Sequence, residues 1–467
     1  MNRDVLDGDF WREHTRDLIE LWHEHAPDEE AGAFHLALDR EWEPIGPRDK
    51  IPRAVSRHVF SFSSAYMLTG DGRYLDQARR GVDYLLDHAW DEEYGGWFDR
   101  LTREGEPKEP TKTASLQLYT NVGLTQYYLA TGDEDALERV RQSLDIRQTR
   151  GYDDEHGGYF DALNRDLSVA DDGKNKHAHY GYVGSHTLNM YLATGDPAVL
   201  EWAQELADLS IERQMDDGWI YGFQSEFDRE WELTRATEDG EPVVSVGAQL
   251  TAALAFLRLY LQSDDERYRE AGMDIAENIN THGYDERGFF WDTLYRESLA
   301  PVPDASVNFW IQNYGCFLQL QLYNLTGDET YLDRFRTAEE FYTRNMVDEE
   351  YGGIFPYVDA DGQPAGKTDK AGPSDTSYHE IEHGFLCSLY LDLYVDGEPA
   401  TLRFRLDGGD GGRTHRVSPV DDPRVGIERV TVDGDDWTEF DADERSVTLP
   451  AGSDLDVAVT LRPVPGR

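Results

Sequence analysis

The sequence predicts an all-α fold, an (α/α)6 toroid in which six helical hairpins form a double ring, carrying a small β appendage at its C-terminal end. Three observations carry that expectation. A glycine-led aromatic motif recurs six times, as Gly32-Ala33-Phe34, Gly95-Gly96-Trp97-Phe98, Gly157-Gly158-Tyr159-Phe160, Gly218-Trp219-Ile220-Tyr221, Gly288-Phe289-Phe290-Trp291 and Gly352-Gly353-Ile354-Phe355, at intervals of 61 to 70 residues. A second mark runs in phase with it: Thr69-Gly70-Asp71, Thr131-Gly132-Asp133, Thr194-Gly195-Asp196, Ser263-Asp264-Asp265 and Thr326-Gly327-Asp328. After Tyr394 the apolar period changes from helical to alternating. Units repeated at a fixed period cannot each bury an apolar face alone, so the six must share one body.

The elements follow in order. Phe10, Trp11, Leu18, Ile19, Leu21 and Trp22 stud an opening helix, and that apolar start favours closure onto the last repeat over an open solenoid, whose ends need polar caps. Each glycine motif reads as a tight hairpin. Apolar runs rich in small residues follow, such as 54–68, 115–130 and 245–261, and read as inner helices. The Gly of each second mark suits a helix C-cap and the Asp after it the next N-cap. Amphipathic stretches such as 74–88, 136–148 and 331–345 then read as outer helices. That order places all six hairpins at one end of the body. Segments 400–406, 424–432, 445–449 and 455–461, with an Asp433-Gly434 turn, read as strands. The expected division is a helical ring over 1–397 and a β-rich domain over 398–467.

Composition narrows the function. A formal net charge of −49, from 93 acidic and 44 basic residues of which seven are Lys, is spread over all repeats. Such self-repulsion is tolerable in concentrated salt, so a halophilic cytoplasm is expected. The same sign excludes nucleic acid and anionic membrane surfaces as partners. Neither a signal peptide nor a membrane span is visible. Cys316 and Cys387 lie inside apolar helical runs, as buried thiols do.

In such a ring, hairpins and inner-helix N-termini surround one mouth with unpaired N–H groups and favourable helix dipoles. The hairpin aromatics Phe34, Trp97, Tyr159, Trp219, Trp291 and Phe355 are expected to wall it, a setting that suits sugars. Polar clusters fall at the starts of inner helices: Arg53 and Arg57; Lys112; Asn175, His177 and His179; Trp310 and Gln312; His379, Glu380, Glu382 and His383. Their common placement makes them candidates.

Arg57-His58-Val59-Phe60-Ser61-Phe62-Ser63 resembles the Arg-x-x-aromatic-x-Phe-Ser signature of the N-acylglucosamine 2-epimerase family, which includes cellobiose 2-epimerases and mannose and sulfoquinovose isomerases. Asn175-Lys176-His177-Ala178-His179 resembles its Asn-x-x-Met-His, Phe309-Trp310-Ile311-Gln312 its Trp-Trp-x-Gln, and Tyr378-His379 its terminal Tyr-His. The resemblance spans roughly residues 10 to 395, and it implies a six-hairpin ring and histidine acid/base catalysis on a sugar. Three positions depart from the family. Its Gly-His-x-x-Glu is Gly247-Ala248-Gln249-Leu250-Thr251 here, the acid after Trp-x-Gln is Tyr314, and the Arg three residues after the final His is Glu382.

Inverting C2 of an aldose uses a base on each face of an enediolate, whereas moving the proton from C2 to C1 needs one. The expected site therefore has His379 as general base and His179 assisting ring opening. Arg57 and Lys112 would hold the oxyanion, with Asn175, His177, Trp310, Gln312, Glu380 and His383 binding substrate. One-base aldose–ketose isomerisation is favoured over 2-epimerisation, without cofactor or metal, in a monomer or homodimer acting on a small sugar. The alternatives are a catalytically silent sugar-binding ring and a glycoside hydrolase with paired carboxylates. His379-Glu380-Ile381-Glu382-His383 also satisfies the zinc motif His-Glu-x-x-His. Downstream the chain turns to β structure and the next histidine is His415, so no third ligand is evident.

Overall fold

The computed structural model describes residues 4–464, apart from 176–178, 223–224, 236, 239–240 and 304. Among them, inner and outer helices alternate. The outer set is α1 (Gly8–His25), α3 (Gly72–Tyr84), α5 (Glu134–Ile146), α7 (Pro197–Gln214), α9 (Glu266–Asn278) and α11 (Glu329–Asn345). The inner set is α2 (Pro52–Thr69), α4 (Ala114–Thr131), α6 (180–194, with a π-helical stretch at Val183–Leu188), α8 (Val246–Ser263), α10 (Phe309–Thr326) and α12 (Tyr378–Tyr390).

The punctuation marks act as the sequence indicates. Gly70, Gly132, Gly195 and Gly327 cap inner helices in the left-handed region at φ 69 to 74°, and Asp264 takes the same conformation at φ 55° where the fourth mark lacks glycine. Asp71, Asp133, Asp196, Asp265 and Asp328 then accept a backbone N–H at the start of each outer helix.

Each inner helix packs on the outer helix that follows it, and α12 packs on α1, so the start of the chain completes the last pair. Contacts run α2–α4–α6–α8–α10–α12 and back to α2, which closes the inner ring. At the seam, Trp11 and Trp22 are buried and Gly384 leaves room for Thr15, whose hydroxyl a β-carbon would strike.

The hairpin end is stitched by a repeated ionic unit. Asp28, Asp91, Asp153 and Asp348 each accept from a buried lysine, Lys50, Lys112, Lys174 and Lys370 respectively, at 2.8 to 3.0 Å. Each also accepts from an arginine of the next repeat: Arg103, Arg165, Arg229 and, for Asp348, Arg40 of the first repeat. The Arg40–Asp348 pair is thus a second closure of the ring.

Beyond Asp396, where the last helical stretch ends, an antiparallel sheet runs in the order Ala400–Leu406, Leu455–Pro463, Val425–Val432, Asp435–Trp437. It lies over the turn end. Arg403 crosses Gly70, His415 Nε2 meets the Leu129 carbonyl at 2.9 Å, and Asp421 pairs with Arg258 of α8 at 2.6 Å. Both cysteines are buried free thiols. No described helix is long and apolar enough to cross a membrane.

Candidate active site

Residues four apart share a helix face, and that spacing builds the mouth in two layers. The second residues of α2, α10 and α12 are Arg53, Trp310 and His379; the sixth residues of α2, α4, α8 and α10 are Arg57, Tyr119, Thr251 and Tyr314. Together they line a cavity of about 240 Å³. It continues past Thr251, Tyr314 and His379 into a narrow well of about 40 Å³ that reaches Arg258 and Glu382. A larger cleft of about 650 Å³ lies between the outer turns and the β layer, but its walls are carboxylates and arginines with no aromatic or imidazole group.

His379 is 11% exposed at its side chain, with its ring 4.8 Å from Tyr378, 5.2 Å from Tyr314 and 5.7 Å from Trp310. Burial, and then the charge of Arg57, hold it well below the ordinary imidazole range, so it is neutral and able to accept a proton at pH 7. Its Nδ1 stands 3.8 Å from Glu382 Oε2, and neither atom has a hydrogen-bond partner. Glu382 Oε1 accepts from the Tyr378 hydroxyl at 2.9 Å. Burial pushes Glu382 up to about 7, against the opposing pull of Tyr378, Arg258, Tyr314 and Arg57.

Arg57 donates to the Ser374 carbonyl at 2.7 Å while its guanidinium lies over the Tyr119 and Tyr378 rings, leaving its buried Nε unpartnered. Arg53 reaches the Pro373 carbonyl, and burial with the neighbouring Arg57 brings it down to about 10, still charged at neutral pH. Trp310 closes one side. Gly247 gives it room, since a β-carbon there would collide with the indole.

Several sequence-derived candidates have other employment. His179 Nε2 accepts the Tyr159 N–H at 3.0 Å and lines neither compartment. It occupies the same role as Gln117, Gln249 and Gln312, whose amides clamp Trp97, Ile220 and Phe290 of the hairpins. Gln312 therefore faces the hairpin backbone through both amide atoms rather than the cavity. Lys112 is committed to Asp91 and to the Arg165 carbonyl. Glu380 points between α12 and α1, where it accepts from Trp22 Nε1. His383 reaches the edge of the well, but its Nε2 lies 2.9 Å from Glu339 Oε1, with Cys387 Sγ 3.6 Å from Nδ1. The members of the His-Glu-x-x-His motif thus face three different places: His379 the mouth, Glu380 Trp22 and His383 Glu339. The Asn175 side chain and His177 lie outside the described residues.

The walls also differ from expectation. Trp97 and Tyr159 are fully buried and Phe34 nearly so, packing the hairpins onto the helix ends. The aromatic walls come instead from inner-helix positions, Tyr119, Trp310 and Tyr314. Tyr119 could have been found by register, because it stands at the same place in α4 as Arg57 does in α2. Ala248, where a histidine is expected, is fully buried, and Thr251 one turn on faces the cavity. Among other acids of this end, Asp99 accepts from Thr113, and Asp375 at the rim is held by Lys367 at 3.1 Å.

A family model described as N-acylglucosamine 2-epimerase (GlcNAc 2-epimerase) matches residues 32–382. A cellobiose 2-epimerase of Bacteroides fragilis is 25% identical over 395 residues, covering 82% of this chain and 98% of the relative. A D-mannose isomerase of Marinomonas mediterranea is 23% identical, covering 77% of this chain and 93% of its own. The solved cellobiose 2-epimerase of Bacillus thermoamylovorans superposes with a TM-score of 0.70 at 23% identity, over 81% of this chain and 99% of that one.

Proposed function

Because the chain belongs to the N-acylglucosamine 2-epimerase family, we propose that this enzyme interconverts an aldose and a ketose through an enediolate, with His379 as the single carbon base. The observation that carries the reading is that His379 is the one imidazole facing the mouth, among the described residues, whose nitrogens are not taken by a protein group. His179 and His383 are engaged, and Ala248 removes the base that a two-face mechanism would use.

Substrate enters a cavity walled by Tyr119, Trp310 and Tyr314, whose faces accept the C–H surface of a sugar. Arg57 and Arg53 give the mouth two positive charges beside the developing enediolate oxygens. His379 removes the C2 proton of the open-chain aldose. Held on one face, the same imidazolium returns it to C1, and the product is the ketose.

Incubation with free aldoses and ketoses in D₂O, in high salt, tests this by NMR. The expected result is ketose formation with deuterium entering at C1 or C2, reduced by about 10² to 10⁴ in His379→Ala. Formation of the C2 epimer without ketose would replace the one-base reading with a two-base one. Saturable sugar binding with no exchange would make the ring a silent sugar-binding protein.

A further inference from the structure

One-base isomerisation leaves a second proton transfer unassigned. Besides the carbon-bound proton, a proton must leave the C2 hydroxyl and one must arrive on the C1 oxygen. His379 cannot hold both at once, so the hydroxyl proton needs a carrier of its own.

The buried and half-buried acids near the mouth can be sorted by what they already hold. Glu380 is bound by Trp22, Asp99 by Thr113 and Asp375 by Lys367, while Glu339 holds His383 through one oxygen, leaves the other unpartnered and lines neither compartment. Glu382 differs. Its side chain is 14% exposed at the bottom of the well, Tyr378 fixes one oxygen, and the other oxygen points toward His379 with no hydrogen-bond partner. The carboxyl is thus fixed through one atom and free at the atom nearest the proposed base. It sits on α12 one turn beyond His379, so both groups lie on one face of that helix, His379 at the cavity and Glu382 in the well that continues from it.

We propose that Glu382 is the catalytic carboxyl that carries the hydroxyl proton between O2 and O1 of the substrate while His379 carries the carbon-bound proton; the inference rests on the isomerase reading above. As His379 takes the C2 proton, the C2–H electron pair forms the C1=C2 bond, and the C1 carbonyl oxygen takes the proton of the Glu382 carboxyl. The resulting carboxylate then removes the proton from O2. As C2=O forms, the C1=C2 pair takes the proton from His379 at C1. Both groups end in their starting state, and no co-reactant is consumed.

The cycle starts from protonated Glu382 and neutral His379. The groups facing Glu382 are Tyr378 and His379 on α12, Tyr314 on α10, Arg57 on α2, Arg258 on α8 and Tyr119 on α4. The cations among them favour ionisation, and burial outweighs them, leaving the carboxyl protonated up to about pH 7. Activity therefore falls as pH rises through about 7.

The experiment compares wild type, Glu382→Gln and Glu382→Asp on the sugar that wild type isomerises, recording kcat/KM from pH 5 to 9. Glu382→Gln is expected to lose about 10²-fold or more and to lose the alkaline limb, while its melting transition and sugar binding persist. Glu382→Asp is expected to retain part of the activity with the limb displaced. Activity of Glu382→Gln within about threefold of wild type, or an unchanged alkaline limb in either variant, overturns the role of Glu382 and leaves the isomerase reading standing. A wild-type enzyme that exchanges no proton with any sugar overturns both.

Discussion

At the scale of single residues, four histidines near inner-helix starts show how position sets chemistry. His58 is spent on Ser377, His179 on a hairpin amide and His383 on Glu339, while His379 keeps a nitrogen unengaged beside Glu382. The burial that keeps Glu382 protonated also has a stability signature. Its folded proton affinity exceeds that of the unfolded chain, so the stability it contributes is full below the ordinary glutamate value of about 4.3. That contribution declines as pH rises toward about 7, where the folded carboxyl ionises. Glu382→Gln removes the titration, so at pH 8 the variant should be more stable than wild type by about 3 to 4 kcal/mol and at pH 4 nearly equal to it. Urea melts at the two pH values check this. Equal differences at both would mean that the buried carboxyl is not the source. A variant that gains stability as it loses activity would mark Glu382 as strained for function.

At the scale of elements, most of the architecture was legible because it rests on periodicity and capping. Gly70 with Asp71, and their equivalents, mark the ends of helices whatever the helices do. The division of labour within each inner helix was less legible. Gln312 and His179 fall in motifs whose resemblance suggested substrate contact, and both clamp hairpins instead. A polar residue near a helix start reads alike in sequence whether it faces the axis or the hairpin; about 100° of rotation per residue separates the two, and a wrong phase of one position exchanges them. Lys112 misled for a related reason. Four of the seven lysines occur at this one place in the repeat, which marks a structural unit rather than a site. The clamp predicts its own cost. Gln249 is fully buried and bonds both the N–H and the carbonyl of Ile220. Gln249→Leu keeps the volume and strands both groups, so stability should fall by about 2 to 4 kcal/mol. The mouth lies on other residues, so kcat should change little at temperatures where the variant is folded. A loss of activity without a loss of stability would place Gln249 in the mouth instead.

At the scale of the whole molecule, two classes of charge have opposite relations to salt. The ring pairs are buried: Asp91 is pushed upward by burial, but Arg165 and Lys112 overcome that and hold it at about 2, and Arg258 is locked between the well and Asp421 of the β layer. Such pairs are little screened. The excess of 49 negative charges is distributed along the entire chain, and it repels itself over distances set by the ionic strength. At about 0.1 M salt the screening length is about 10 Å, enough for neighbouring carboxylates to feel one another, and near 1 M it is about 3 Å. The proposed adaptation to a salty cytosol therefore gives a curve with a definite shape. The melting temperature should climb steeply between about 0.1 and 1 M KCl, by about 5 °C for a relief of about 5 kcal/mol, and flatten once screening is complete. Sucrose at matched osmolality stabilises by exclusion from the surface and leaves the repulsion in place, so it should not reproduce the steep portion. If KCl leaves the transition unmoved over this range, or sucrose matches it, the acidic surface is not what ties this ring to salt.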